Sequence, residues 1–107
     1  MHPRLQQDLA QFPQILDHTR QLAEDFLAGL QQRSVCPPLA QQQLQPGDDR
    51  LAENGEGALA ALDDFWQRYQ AGISASAGPR YFGFVTGGGT PAAVAADWLV
   101  SVTDQNS

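Results

Sequence analysis

Apolar residues recur at steps of three, four and seven over the first third of the chain, which is the spacing of one helix face. This stripe is formed by Ile15, Leu16, Leu22, Phe26, Leu27 and Leu30. Pro13 suits a first helical turn, and Pro37 with Pro38 ends the pattern because a residue before proline avoids the α conformation. The spacing therefore predicts a helix over about residues 13–33.

A second apolar stripe steps by three and four, and it predicts a helix over about residues 56–70. Its members are Leu59, Leu62, Phe65, Trp66 and Tyr69. A short helical turn is expected at residues 39–44, followed by an exposed loop at 45–49. Asp63 and Asp64 lie beside the stripe, and paired carboxylates can serve acid–base catalysis or a metal. With no partner ligands following them, they are interpreted as solvated residues of the helix face.

The last third begins with a linker of small residues at 74–79 and then changes character. Residues 81–86 are aromatic and β-branched, which predicts a short strand or extended segment. Thr90 can cap a helix and Pro91 suits its first position, so a helix is expected over about residues 91–103.

The helix expected at 91–103 carries a single charge, Asp97, and is apolar on nearly every side. Such a helix must be buried on nearly every side, and two amphipathic helices cannot wrap it. Something else, either a partner chain or the rest of a larger protein, is expected to cover residues 81–102. The fold class is therefore mainly α, with a helical segment at 1–77 and a second segment at 78–107.

Composition excludes several classes of protein. With 107 residues, 42% of them hydrophobic and 17% charged, the chain is at most one domain and is not a disordered tail. No apolar run approaches the roughly 20 residues of a membrane helix, and the first residues show no apolar signal core, so a cytoplasmic location is expected. A net charge of −6 argues against nucleic acid or an anionic membrane as the main partner.

The basic residues are all arginine, and the chain contains no lysine. This polypeptide acting alone therefore cannot use a mechanism that needs a lysine Schiff base.

Cys36 is the single cysteine, so an internal disulfide is impossible. A catalytic thiol would need His2 or His18 as its base, and neither has a recognisable context. We interpret Cys36 as a small hydrophobe at a helix exit, and we expect no catalytic residue and no metal site.

Three glycines at 87–89 precede the helix at Pro91, and free N–H groups there could bind phosphate. The P-loop lysine is missing, and Pro91 replaces the last glycine of the dinucleotide-binding pattern. A tight turn with close backbone packing is the alternative interpretation.

A longer pattern includes these glycines and resembles a known enzyme family. It reads Gly78-Pro79-Arg80-Tyr81-Phe82-Gly83-Phe84-Val85-Thr86-Gly87-Gly88-Gly89-Thr90-Pro91-Ala92-Ala93, then Ala96-Asp97-Trp98-Leu99, and ends Asp104-Gln105-Asn106. This stretch resembles the N-terminal part of the group II pyridoxal-phosphate-dependent amino-acid decarboxylases, which include the aromatic-amino-acid and glutamate decarboxylases. The run Arg33-Ser34-Val35-Cys36-Pro37-Pro38 resembles the family's Arg-x-Val-x-Pro helix exit, whereas residues 39–77 match only in helical pattern.

The resemblance implies a homodimer of fold-type-I architecture, α/β when complete, whose N-terminal helices pack across the partner subunit. It implies that residues 1–77 are the helical dimer-packing segment and that residues 78–107 are the truncated start of the decarboxylase domain. Val85, Thr86 and Gly87 match the family's substrate-side loop. Thr86-Gly87 stands where the aromatic-amino-acid branch has Pro-Thr, so the resemblance does not identify which amino acid is the substrate. Asp97 matches a family aspartate that we interpret as structural.

The cofactor implied for the complete carboxy-lyase is pyridoxal phosphate, an electron sink for the carbanion left when CO2 departs. The family's Schiff-base lysine, cofactor aspartate, stacking histidine and phosphate loop correspond to positions beyond residue 107. No bound cofactor and no catalysis are therefore expected of this chain alone, and its expected partner is the remainder of the enzyme or a second subunit. Two other classes stay open, namely a non-catalytic acidic helical interaction module and a small anion-binding domain at Gly87–Thr90.

Overall fold

The computed structural model describes residues 1–38, 51–85 and 88–105, and within these ranges the chain is helical and has no strand. The elements are α1 (Pro3–Ala10), α2 (Phe12–Ala28), α3 (Ala58–Tyr69) with a 3-10 turn at Gln70–Gly72, and α4 (Pro91–Thr103). The predicted mainly-α class is confirmed. The helical turn expected at 39–44 and the loop at 45–49 lie outside the described residues.

The helix predicted at 13–33 is α2, and its end was placed five residues too late. Its backbone leaves the helix at Gly29, whose N–H bonds to the Asp25 carbonyl oxygen, and residues 30–33 continue as turns. Glycine is a poor helix former, and the turns carry Arg33 towards the end of α3. The short helix α1, capped by His2 Nδ1 accepting from Arg4 N at 3.2 Å, was not predicted.

Helix α3 packs against α2 through aromatic rings. Phe26 of α2 and Trp66 of α3 meet edge to face, with ring centroids 5.9 Å apart. The first residue of α3 follows Gly57 (φ 92°), which has no side chain to cap the helix. The cap comes instead from α1, because Asp8 Oδ1 accepts a hydrogen bond from Ala58 N at 2.9 Å.

The predicted helix at 91–103 is confirmed as α4, with the predicted cap. Thr90 Oγ1 accepts a hydrogen bond from Ala93 N at 3.2 Å, and Pro91 occupies the first helical position. The helix is not buried within this chain, because Trp98 alone among its residues is half-buried and the others are exposed. As expected from the sequence pattern, the amphipathic helices that precede α4 do not surround it.

A short strand or extended segment was predicted over residues 81–86, and the strand was wrong for the described part, 81–85. Residues 83–85 form a bend and a turn, and Phe84 (φ 52°) and Val85 (φ 56°) adopt left-handed backbone conformations. A strand needs a neighbouring strand to bond its backbone groups, and the described residues provide none. Thr86 lies outside the described residues.

The chain exposes more surface than a folded monomer of its mass. Its accessible area is 8660 Å², whereas the usual scaling gives about 5,800 Å² for this mass. Among the described residues only Pro37 and Ala75 are buried, the latter with 2% of its surface exposed. The described helices therefore leave much apolar surface uncovered.

Candidate functional site

Arg33 joins the end of α2 to the end of α3. Its Nη1 donates to the carbonyl oxygens of Gln70 (2.6 Å) and Ile73 (3.3 Å), and its Nη2 donates to Gln70 Oε1 (3.0 Å). The guanidinium also lies over the Phe26 ring, 4.6 Å from the centroid. Only arginine has a planar fork that can make all these contacts at once.

The residues that follow Arg33 run beside those that follow α3. Ala75 N donates to the Ser34 carbonyl oxygen at 3.2 Å, and Ser74 Oγ donates to that of Val35 at 2.6 Å. The two segments, residues 33–37 and 70–80, are called the Arg33 junction below. The buried residues Pro37 and Ala75 lie in its two segments, so the best-packed part of the described chain is here.

Arg80 closes the Arg33 junction, with Nη2 donating to the backbone carbonyl oxygen of Arg33 at 2.7 Å. The two sequence stretches that carry the family resemblance, Arg33–Pro38 and the run from Gly78, therefore meet in space. The hydroxyl groups of Ser34 and Ser74 donate to backbone carbonyl oxygens, so both have structural partners. These two hydroxyl groups therefore position backbone, while Cys36, the thiol of the junction, is exposed.

The three residues of the expected substrate-side loop are only partly described. Val85 is exposed on a turn next to the exposed Phe84 and Phe82. Thr86 and Gly87 lie outside the described residues, so the substrate-side loop stays a prediction. Asp97, interpreted as structural, is exposed on α4.

The histidines have structural partners. His18 Nε2 lies 2.5 Å from Asp63 Oδ1 and so links α2 to α3, while His2 caps α1. Asp64, next to Asp63, bonds to Arg68 at 2.9 Å one helical turn later. Both aspartates are exposed, as expected for a helix face, but the pairing of Asp63 with His18 of α2 was not expected.

Two exposed arginines are held by carboxylates on their own helices. Hydrogen bonds to Asp17 and then Glu24 raise the pKa of Arg20, and the hydrogen bond to Asp64 raises the pKa of Arg68. An arginine whose folded pKa is raised contributes stability below its ordinary pKa and loses it only as pH rises through the folded value. Both therefore remain charged through the whole physiological range.

An open apolar groove runs between α2 and α4. Its wider part, about 810 Å³, has walls that include Ala23, Leu27, Val94, Trp98 and Leu99. Trp98 also lines the narrower part, about 480 Å³, which extends to Phe12 and Val102. The amphipathic pattern of α2 predicted an apolar face, but the placement of α4 along it depends on contacts distant in sequence.

Within the described ranges, no group of three or more His, Cys, Asp or Glu side chains could hold a metal ion. None of the described helices has the length and apolar character that crossing a membrane requires.

Sequence reasoning missed the partners of His18, Asp8 and Arg33. The helix predicted at 56–70 included Gly57, whereas α3 begins at Ala58, so the need for an acceptor at its first turn was not visible in the sequence. No protein-family model, curated protein or solved structure matches the chain.

Proposed function

We propose that this chain is the N-terminal portion of a pyridoxal-phosphate-dependent amino-acid decarboxylase, contributing dimer contacts and a substrate-side loop. One observation carries the proposal. The two stretches that resemble the family are far apart in sequence, and Arg80 of one bonds to the backbone of Arg33 in the other. A contact between the two stretches is what the proposal expects, because it assigns both to one enzyme.

The large exposed surface supports the same proposal. The apolar residues of α4 lack a cover within the described chain, as expected for a segment that packs against the remainder of an enzyme or a second subunit. Val85 to Gly87 would then supply the loop beside the substrate, with the amino acid itself left open.

The residues present do not fit pyridoxal phosphate. The chain has no lysine, so no side chain can form a Schiff base with the cofactor. His18 is bound to Asp63 on α3, and the serine hydroxyls of the Arg33 junction are bonded to backbone. The cofactor and the bond-breaking step therefore belong to another part of the enzyme, and this chain supplies packing and substrate contact.

The proposal is tested first by reading the coding DNA beyond codon 107. An in-frame continuation that encodes a lysine and a Gly/Ser/Thr-rich phosphate loop is the expected result. The continuation is then expressed with and without residues 1–107, and CO2 release is measured from a panel of amino acids. Activity should need residues 1–107, and a stop codon directly after Ser107 would contradict the proposal.

A non-catalytic acidic helical interaction module is the second candidate, favoured by the open groove between α2 and α4. It predicts a cooperative, stable chain that binds a partner without any continuation. The two candidates separate on whether residues 1–107 bind a partner without any continuation of the coding sequence, which the interaction module alone predicts.

A further inference from the structure

We draw no further inference here: the strongest candidate, the open apolar groove between α2 and α4, carries none, because nothing in the structure shows what covers it.

Discussion

The guanidinium of Arg80 donates a hydrogen bond to the backbone carbonyl oxygen of Arg33, 47 residues earlier in the chain, at 2.7 Å. The side chain of Arg33 in turn bonds to the carbonyl oxygens of Gln70 and Ile73. The backbone at residue 33 is therefore held from both sides. This double attachment explains why the described chain has its buried residues at the Arg33 junction rather than between its helices.

Arg33→Ala should destabilise the chain by about 2–3 kcal/mol, because it removes charge-assisted hydrogen bonds and the contact with the Phe26 ring. Arg33→Lys should recover less than half of this loss, since an ammonium cannot make the forked contacts. Urea unfolding at 25 °C measures both. The exposed Arg68→Ala, which breaks one surface ion pair, is the control and should cost about 0.5 kcal/mol. Equal costs for Arg33→Ala and Arg68→Ala would contradict the structural role of Arg33.

Asp8→Ala should cost about 1 kcal/mol of stability, since it leaves the first turn of α3 without its acceptor. Asp8→Asn should cost less, because the amide oxygen can still accept the hydrogen bond from Ala58 N. Urea unfolding followed by far-UV circular dichroism gives both values. Asp25→Ala, an exposed aspartate on α2, is the matched control. A loss from Asp25→Ala as large as that from Asp8→Ala would argue against a cap supplied by α1.

The bounds of α4 could be predicted from the sequence because they depend on neighbouring residues. Thr90 supplies the cap and Pro91 the first position, and both act within one turn. The end of α2 could not be placed as well. The apolar pattern continues to Leu30, whereas the backbone leaves the helix at Gly29, so that Arg33 reaches carbonyl oxygens that lie 37 and 40 residues away.

The segment at 81–86 shows that residue types alone do not determine whether a strand forms. Aromatic and β-branched residues favour a strand only where a neighbouring strand pairs with it. Phe84 and Val85 have strand-forming side chains, yet they adopt left-handed conformations here. The candidate groove was equally inaccessible to sequence reasoning, because Leu16 and Trp98 line it from helices that are distant in sequence.

The pair of His18 and Asp63 should contribute a small, measurable coupling between α2 and α3. The side chains are 34% and 52% exposed, and exposed pairs typically couple by about 0.2–1 kcal/mol. A double-mutant cycle with His18→Gln and Asp63→Asn, measured by urea unfolding, gives the coupling energy. The matched cycle uses Asp64→Asn with His18→Gln, and because Asp64 bonds to Arg68 its coupling should be close to zero. Equal coupling in the two cycles would show that His18 senses the general negative charge of α3.

Thr90→Ala should loosen α4 without unfolding α2 and α3. The Thr90 hydroxyl accepts the hydrogen bond from Ala93 N, and losing such a cap costs about 1 kcal/mol, or about fivefold in the local opening equilibrium. Since α4 is exposed along most of its length, this cost should be felt locally. Amide hydrogen exchange should therefore accelerate about fivefold in α4 and remain unchanged in α3. Thr90→Ser keeps the hydroxyl and should restore the original rates. If exchange in α3 accelerated as much as in α4, the two helices would open together, and α4 would be an integral part of the folded unit rather than a peripheral helix.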